Sequence, residues 1–333
     1  MGWQIVPGEW YLGGAMLLLA LVFDCTLGEP PEALHPVVWM GKLIALLERL
    51  SPMTGNAISL LAGAGIALLL PSLFGLAAWL AARGLRELGA IPYLLGGALL
   101  LKTTFSVTGL GQAAQTTRGL LVAGNLNAAR RSLQHLVSRD TQKLDPPLIA
   151  AAAIESVGEN TTDSYIAPWL AFALLGLPGA FAYRAVNTLD SMIGYHGKYE
   201  YLGKTSAKLD DIINLVPARL SALLLLAAGL VTVLFKRAAH NDSAEHARSI
   251  SVRRGWEIMR RDHGLTESPN AGWTLGAMSG LLGVALEKTG HYLIGNGLCR
   301  PDAAAVGQAV RLAYLTAALG ALTTLCLLAL GGK

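Results

Sequence analysis

The stretch from Ala57 to Ala82 contains no charged side chain, and this feature constrains the fold more than any other. A helix needs about 20 apolar residues to cross a bilayer. Four more uncharged runs cover 164–183, 220–235, 268–286 and 312–332, and 220–235 reaches span length if it begins near Leu215. Two shorter uncharged runs cover 10–23 and 88–101. The sequence therefore predicts five to seven membrane-spanning helices.

Composition agrees with this prediction. Of the 333 residues, 14% are charged and 53% are hydrophobic, whereas soluble domains carry about 25% charged residues. Signals for β-sheet are weak, and no flexible linker divides the chain. We therefore expect an all-α, multi-pass helical bundle with amphipathic helical loops. It would form one membrane-embedded domain over residues 1–333, located in the cell membrane.

Two basic stretches, 102–163 and 236–267, interrupt the apolar runs, and the positive-inside rule places both in the cytoplasm. The net charge of +4 indicates anionic lipid headgroups as partners, and no feature indicates nucleic acid. The run 164–183 lies between two basic segments, which a full crossing would place on opposite sides. Pro168, Pro178 and Gly179 leave open a broken or re-entrant segment there.

A series of carboxylates precedes this run. Glu155, Glu159 and Asp163 recur every four residues, with Asn160 beside them. On a helix this spacing places three carboxylates on one face. Because like charges repel, the pattern indicates a bound cation or a basic substrate, and a solvated helix end is the alternative.

Further acids and amides follow in the chain. Asn187 and Asp190 are three residues apart, and Asp210, Asp211 and Asn214 occupy neighbouring helical positions. An ionisable residue at membrane depth costs at least about 2.5 kcal/mol, so such residues indicate a functional site. Oxygen ligands of this kind suit a hard cation such as Mg²⁺ that bridges substrate phosphates.

Basic residues lie near these acids. Lys204, Lys208 and Arg219 belong to the same part of the chain. Charge-assisted hydrogen bonds to phosphate oxygens are one interpretation. The other is that the long side chains reach the membrane interface.

Two shorter motifs are also candidates for a site. Asp24 ends the first apolar run and precedes two proline turns and His35, which indicates a fixed loop. Ser268 and Asn270 open an apolar run, where either can cap a helix and free N–H groups attract anions. The signatures of P-loop nucleotide sites, serine hydrolases and zinc proteases are absent.

Together these motifs closely resemble the adenosylcobinamide-phosphate synthase family of cobalamin biosynthesis. The similar segments are D-C-T-L-G-E-P-P, H-P-V-V-W-M-G-K-L-I, E-S-V-G-E-N-T-T-D-S-Y-I-A-P-W, Y-R-A-V-N-T-L-D-S-M-I-G-Y, S-A-K-L-D-D-I-I-N-L-V-P-A-R, S-P-N-A-G-W and G-H-Y. They follow in the family's order from about residue 24 to 295. Residues 261–267 depart from the pattern, since they read R-D-H-G-L-T-E where the family often has Asp-Gly-rich sequence. We therefore assign no role to Asp262 or His263.

The resemblance implies an ATP-dependent ligase. It would join adenosylcobyric acid to (R)-1-aminopropan-2-ol phosphate or ethanolamine phosphate and give adenosylcobinamide phosphate. The implied partners are a corrinoid, an aminoalcohol phosphate and membrane lipids, together with the enzymes that later assemble the nucleotide loop.

Roles follow from the chemistry of the residues. ATP would convert the carboxylate into an acyl phosphate that the amine attacks, and Mg²⁺ would neutralise phosphate charge. Asp210 or Asp211 would be the general base, with Glu155 as a further catalytic candidate. The expected Mg²⁺ ligands are Glu159, Asp163, Asn187 and Asp190. The expected substrate-binding residues are Asp24, His35, Asn160, Lys204, Lys208, Asn214, Arg219, Ser268 and Asn270.

The basic members of this set are expected to bind the aminoalcohol phosphate rather than ATP. The phosphate and the amine of that substrate are a few bonds apart, so its phosphate site must lie next to the base. Lys204, Lys208 and Arg219 share the segment that holds Asp210 and Asp211.

Two other classes of protein carry similar features. Membrane prenyl- and phosphatidyl-transferases also place aspartates near span ends, but the phosphatidyl-transferases need a D-x-x-D-G-x-x-A-R series that this chain lacks. Transporters place buried acids in mid-span between inverted repeats. In this chain the acids cluster at span ends, and no repeat is visible.

Overall fold

The structure is a computed structural model that describes residues 10–51, 56–137, 139–195, 197–238 and 249–331. Within these residues thirteen α-helices and two three-residue strands are joined by loops. The prediction of an all-α fold is confirmed. Part of the basic stretch 236–267, namely residues 239–248, lies outside the described residues.

The chain divides into two compact units, each built from separate stretches of sequence. Unit 1 consists of Met1–Ser106, Asp163–Asn214 and Ala321–Lys333, and unit 2 consists of Val107–Thr162 and Leu215–Gly320. Two of the boundaries fall inside helical segments, so no linker composition marks them. The single domain expected from the sequence stays a prediction.

Six helices lie wholly in unit 1: α1 (Trp10–Thr26), α2 (Pro36–Leu50), α3 (Asn56–Glu87), α4 (Ala90–Lys102), α8 (Ala167–Ile193) and α9 (Lys204–Ile213). Helix α3 packs against α4, α8 and α9. Leu70 and Leu189 are buried in the core of this unit. A Cβ atom at Gly63 would overlap the backbone of Leu202, so glycine allows α3 to approach that segment closely.

Helix α7 (Pro146–Thr161) belongs to unit 2 and continues through a π-helical turn, Thr162–Ile166, into α8. A π-helical turn shifts the following side chains off the 3.6-residue period. Helix α8 is broken at Gly176, where φ is 67°, a left-handed conformation that glycine adopts readily. Pro178 lacks the N–H that would continue the helical ladder. The broken segment that the sequence left open is therefore present.

Unit 2 contains α7 and five further whole helices, with the first part of α13 (Ala303–Gly331). The five are α5 (Thr108–Val122), α6 (Leu126–Leu133), α10 (Leu215–Ala238), α11 (Val252–Asp262) and α12 (Ala271–Leu282). Gly272, Gly276 and Gly280 recur every four residues on α12. A Cβ atom at any of them would overlap the backbone of α11 or of its cap residue. This small-residue face lets the two helix backbones pack closely.

Four helical segments among the described residues are long and apolar enough to cross a membrane: Asn56–Glu87, Pro146–Ile193, Leu215–Lys236 and Ala303–Gly331. The predicted count of five to seven is not confirmed. The two shorter runs form α1 and α4, with 17 and 13 residues.

The prediction of a span at 268–286 is wrong. Helix α12 has 12 residues and ends at Gly283, which is left-handed. At 1.5 Å per residue it extends about 18 Å, which is less than the roughly 30 Å of the hydrocarbon core. Its apolar side chains are buried against other helices of unit 2.

The two strands form an antiparallel hairpin in unit 2. In the register of β1 (Leu286–Lys288) and β2 (Tyr292–Ile294), Lys288 pairs with Tyr292. The three-residue loop between them contains Gly290 with φ of 80°, as such loops favour. Directly opposed residues project from the same face of a sheet, so Lys288 and Tyr292 lie side by side.

Candidate active site

Tyr183 on α8 connects three of the sequence motifs within unit 1. Its hydroxyl group donates to Asn214 Oδ1 at 3.0 Å and lies 3.4 Å from Asp163 Oδ1. The side-chain amide of Asn214 donates in turn to Asp210 Oδ2 at 2.9 Å. Both carboxylates act electrostatically on Tyr183. Asp163 and Asp210, distant in sequence, are therefore neighbours of one hydroxyl group.

Arg184 extends this arrangement on the same helix. Its Nη1 donates to Asn187 Oδ1 at 3.2 Å and to the carbonyl oxygen of Asp163 at 3.4 Å. Asp190 follows one helical turn after Asn187 on α8 and is partly exposed. The Tyr183 network comprises Asp163, Tyr183, Arg184, Asn187, Asp210 and Asn214.

A second polar cluster of unit 1 surrounds Lys102, at the end of α4. Lys102 Nζ lies 3.1 Å from Asp24 Oδ1 and 2.8 Å from Glu29 Oε1. Ser106 donates to Glu29 Oε1 at 2.6 Å, and His35 Nε2 lies 3.3 Å from Glu29 Oε2. The structure therefore brings together Asp24 and His35, which the sequence predicted as substrate-binding residues, around a lysine and a glutamate.

The charge of Glu29 depends on these contacts. Burial opposes its ionisation, but hydrogen bonds with His35, Lys102 and Ser106 outweigh this effect and lower the pKa of Glu29 to about 2. The cluster adjoins the Tyr183 network, since Ser106 N–H donates to the carbonyl oxygen of Ser164 at 3.1 Å. Glu29 also acts electrostatically on Arg184. The two polar clusters of unit 1 are thus neighbours.

Unit 2 contains a separate cleft of about 130 Å³. Its charged and aromatic lining consists of Arg139, Glu155, Glu159, Lys288 and Tyr292. Arg139 Nη2 donates to Glu155 Oε2 at 2.9 Å. The Glu155 side chain is 7% exposed, whereas Glu159, one helical turn later, is exposed.

Local sequence explains how α7 presents this lining. Asp145 caps the helix by accepting from Leu148 N–H at 2.9 Å, and proline follows at the first helical position, as helix starts favour. Ser156 donates to the carbonyl oxygen of Leu136 at 2.9 Å. Asn160, which also lines the cleft, donates to the carbonyl oxygen of Ser156 at 2.9 Å. The segment before Arg139 is thereby tied to α7.

Tyr292 is the tyrosine of the G-H-Y motif. Burial raises the pKa of its hydroxyl group above the ordinary value, and the carboxylates of Glu155 and Glu159 raise it further. The hydroxyl group therefore remains protonated, and it is directed at the carboxylate of Glu155. His291, its neighbour in the motif, is exposed and lies 3.2 Å from Glu267.

Arg219 lies at another position in unit 2. Its guanidinium group stacks 4.8 Å from the ring of Trp273 and donates to Asn270 Oδ1 at 3.4 Å. The Ser268 hydroxyl accepts from Asn270 N–H at 3.3 Å. The Asn270 side chain makes no cap of α12, and the hydroxyl group of Thr266 accepts from Gly272 N–H at the helix start instead.

Asp262, to which we assigned no role from its motif, is buried. Burial opposes its ionisation, but hydrogen bonds from Arg261 and from Gly295 N–H hold its pKa below the usual range. These contacts join the end of α11 to the loop after β2, which is a structural role.

The remaining candidates of unit 1 lie on α9. Lys204 and Lys208 are exposed, and Asp211 is partly exposed. Neither lysine lines the cleft of unit 2. The predicted phosphate-binding residues are divided, because both lysines belong to unit 1 and Arg219 to unit 2.

The predicted magnesium ligands are divided as well. Asp163, Asn187 and Asp190 belong to unit 1 and Glu159 to unit 2. Over the described ranges, no group of three or more His, Cys, Asp or Glu side chains is arranged to hold a metal ion. Mg²⁺ commonly takes only one or two protein carboxylates, with phosphates and water as its other ligands. The Tyr183 network supplies such a pair in Asp163 and Asp210.

Several residues of these clusters were missed in the sequence, although they lie inside or beside the motifs. Tyr183 and Arg184 open Y-R-A-V-N-T-L-D, and Glu29 lies in D-C-T-L-G-E-P-P. Asp24, Asn187 and Asp190 of these two motifs were assigned roles, whereas Glu29, Tyr183 and Arg184 were not. Arg139 and Lys288 stand outside the motifs and carry no sequence signal of their own.

The fold and these clusters define a polytopic helical membrane protein with charged side chains held in its interior. The sequence model of the CobD/Cbib protein family matches residues 17–320, and the chain belongs to this family. No solved structure matches it.

Curated relatives agree with this membership. The chain is 44% identical to the cobalamin biosynthesis protein CobD of Dehalococcoides mccartyi, over 85% of this chain and 87% of that protein. It is 39% identical to the protein of the same name from Geobacter metallireducens, over 90% and 92%. It is 36% identical to a probable CobD of Methanocaldococcus jannaschii, over 86% and 89%.

Proposed function

We propose that this chain is an adenosylcobinamide-phosphate synthase of the cell membrane. It would use ATP to join adenosylcobyric acid to an aminoalcohol phosphate, either (R)-1-aminopropan-2-ol phosphate or ethanolamine phosphate. Family membership supports a role in cobalamin biosynthesis. The four long apolar helices support a membrane location.

The observation that carries the proposal is the convergence of motifs on Tyr183 and Arg184. The motifs that contain Asp163, Asn187 and Asp210 are far apart in the chain, yet all three residues meet there through hydrogen bonds. The N-terminal motif adjoins them through Ser106 and Glu29. Burial of a charged network costs free energy, so its presence in the interior indicates a function.

The reaction requires an activated carboxyl group, because a carboxylate is a poor electrophile. Its oxygen would attack the γ-phosphorus of ATP, which forms an acyl phosphate and releases ADP. The amine of the second substrate would then attack the acyl carbon. The amide forms, inorganic phosphate leaves, and a base takes the proton of the amine. Asp210, Asp211 and Glu155 are our candidates for this base.

The donor set of the Tyr183 network fits Mg²⁺, the cation that ATP chemistry usually requires. The side-chain oxygens of Asn187 and Asn214 accept hydrogen bonds from Arg184 and Tyr183. Asp163 and Asp210 are therefore the residues that would hold the ion, together with substrate phosphates. A bound Mg²⁺ would neutralise phosphate charge as ADP leaves. Glu159 and Asp190 stay predicted ligands.

Positive side chains would bind the other anionic groups. Arg184 reaches the Asp163 end of the network and would contact phosphate oxygens beside the ion. Arg219, with Ser268 and Asn270 beside it, stays our candidate for the phosphate group of the aminoalcohol substrate, as do Lys204 and Lys208. Asp24 and His35, which belong to the cluster around Lys102, stay our candidates for substrate binding.

The test is an assay with purified protein in detergent. Adenosylcobyric acid, (R)-1-aminopropan-2-ol phosphate, ATP and Mg²⁺ should yield a corrinoid whose mass equals the sum of the two organic substrates minus water. Omission of ATP should abolish the product, and ADP should appear in equal amount. Tyr183→Phe should turn over more slowly than Tyr199→Phe, whose hydroxyl contacts Glu48 on a different part of unit 1. Absence of the amide product from the complete mixture would refute the proposal.

A further inference from the structure

The cleft of unit 2 presents both signs of charge to one small volume. Arg139 and Lys288 are positive, and Glu155 and Glu159 are negative. Ligand sites for drug-sized molecules enclose about 300–1,000 Å³, whereas this cleft measures about 130 Å³. It is too small to enclose a nucleotide or a corrinoid. The cleft therefore suits a molecule of a few heavy atoms or one end of a larger one.

The hydrogen bonds and ion pairs inside the cleft leave N–H donors available on one side. Arg139 uses Nη2 for Glu155, and its buried Nε makes no hydrogen bond with the described residues. Lys288 acts electrostatically on Glu155 and Glu159, and it forms no ion pair with any residue of the described ranges. Tyr292, opposite Lys288 in the hairpin, directs its neutral hydroxyl group at Glu155, so Arg139 and Lys288 supply the donors of this side. An anion with several oxygens matches this side.

The other side of the cleft attracts a cation. Glu155 is paired with Arg139, whereas Glu159 is exposed at the mouth, one helical turn later. Residues four apart on a helix have Cβ atoms about 5–6 Å apart. Lys288 acts electrostatically on Glu159 and lines the same cleft, so a ligand whose two charges are separated by a few bonds can contact Lys288 and Glu159 together. A purely anionic or purely cationic ligand would leave one pair of like charges uncompensated.

We propose that the cleft lined by Arg139, Glu155, Glu159, Lys288 and Tyr292 binds a small zwitterion with an ammonium group and a phosphate monoester. This inference rests on the proposed function, in which an aminoalcohol phosphate is a substrate. It moves the phosphate of that substrate from Lys204, Lys208 and Arg219 to Arg139 and Lys288, and it assigns Glu159 to the ammonium group instead of Mg²⁺. Two cations favour a doubly charged monoester over a carboxylate.

The test measures binding without turnover. Isothermal titration calorimetry on the purified protein in detergent, without ATP or corrinoid, would use ethanolamine phosphate, ethanolamine, inorganic phosphate and β-alanine as probes. Ethanolamine phosphate should bind more tightly than the other three. Loss of one charge-assisted contact is expected to weaken binding about ten- to hundred-fold.

Paired variants separate the two ends of the ligand. Lys288→Gln should weaken the binding of both ethanolamine phosphate and inorganic phosphate. Glu159→Gln should weaken the binding of ethanolamine phosphate but not that of inorganic phosphate. Lys143→Gln removes an exposed lysine of the same unit and should leave all constants unchanged. Unchanged affinity of Lys288→Gln for ethanolamine phosphate overturns the inference, as does absence of binding by the parent protein. Selective weakening by Lys204→Gln, Lys208→Gln or Arg219→Gln returns the phosphate site to those residues.

A lipid headgroup offers similar chemistry, because phosphatidylethanolamine carries an ammonium group and a phosphodiester. Addition of this lipid to the detergent should not displace ethanolamine phosphate, whereas displacement would show that the cleft serves lipid and would overturn the inference. Binding at the cleft without amide formation in the complete assay would contradict the proposed function alone. Amide formation that is insensitive to Lys288→Gln and Glu159→Gln, with no change in binding, would contradict this inference alone.

Discussion

Lys102 Nζ lies 3.1 Å from the carboxylate of Asp24 inside unit 1, where their side chains are 4% and 1% exposed. Transfer of both charges from water into the interior costs free energy that their attraction only partly repays. Removal of one partner therefore destabilises the fold more than replacement of both partners by apolar residues, because the remaining charge stays buried. Glu29 joins the same ammonium group at 2.8 Å.

The first prediction concerns stability. Lys102→Met should lower the free energy of unfolding by roughly 3–5 kcal/mol, because Asp24 keeps a buried charge without a counterion. Lys198→Met is the matched control, since Lys198 pairs with Glu48 at 2.8 Å but is 66% exposed. Exposed pairs contribute little to stability, because water and salt screen them. Thermal unfolding of both variants in detergent makes the comparison, and equal midpoints would contradict the interpretation of Lys102 as a buried counterion.

The second prediction concerns pH. Hydrogen bonds in the folded state hold the pKa of Glu29 at about 2, below its ordinary value of 4.5. A lowered pKa stabilises the folded state above the unfolded value, and this contribution disappears as pH falls through the folded value. The difference in unfolding midpoint between the parent and Glu29→Gln should thus be constant above about pH 5. It should shrink as pH falls from about 4.5 towards 2.

Measurement of both proteins across that range tests the prediction. Glu87→Gln provides the control, since Glu87 is 71% exposed and meets Arg83 only in a surface pair. A difference for Glu29→Gln that persists unchanged at pH 2 would show that the Glu29 charge is not what stabilises the cluster.

Some of the candidate site could be predicted from spacing alone. Glu155 and Glu159, four residues apart, line the same cleft because α7 is helical through Thr161. Asp163 belongs instead to the Tyr183 network. The π-helical turn that begins at Thr162 removes it from the four-residue period, and such a turn has no sequence signature.

Other features depend on contacts that periodicity does not encode. Hydropathy cannot distinguish burial in lipid from burial in protein, so α12 was expected to be a span. Strands of three residues are too short to show an alternating pattern, so the pairing of Lys288 with Tyr292 could not be predicted from the sequence. The position of Arg139 beside Glu155 depends on the contact of Ser156 with the Leu136 carbonyl.

The third prediction concerns membrane integration. The helices Asn56–Glu87 and Ala303–Gly331 present apolar surfaces long enough to cross a bilayer, and transfer of such surfaces to water is strongly unfavourable. Alkaline carbonate washing of membranes that contain the protein should therefore leave it in the pellet. Release into the supernatant, where peripheral proteins appear, would contradict membrane integration.

The fourth prediction separates metal ligands from other acids. Asp163→Asn and Asp210→Asn should slow amide formation and raise the Mg²⁺ concentration for half-maximal rate. Loss of a partner that merely orients a metal ligand already costs about 10–100-fold in metal affinity or activity, so loss of a ligand should cost at least as much. Glu159→Gln and Asp190→Asn test the remaining predicted ligands in the same titration. Asp140→Asn is the control, because Asp140 is exposed and accepts only from Gln142 N–H among the described contacts.

The Mg²⁺ titration distinguishes the two roles open to Asp210. A ligand variant should recover rate as Mg²⁺ is raised, because mass action refills a weakened site. A general-base variant should keep a low rate at every Mg²⁺ concentration, with an unchanged half-maximal value, because its lost proton acceptor is not replaced by metal. Recovery in Asp163→Asn but not in Asp210→Asn would assign the base to Asp210 and leave Asp163 as the ligand. Near-normal rates and Mg²⁺ dependence in all four variants would mean that these carboxylates are structural, since neither role tolerates loss of the negative charge.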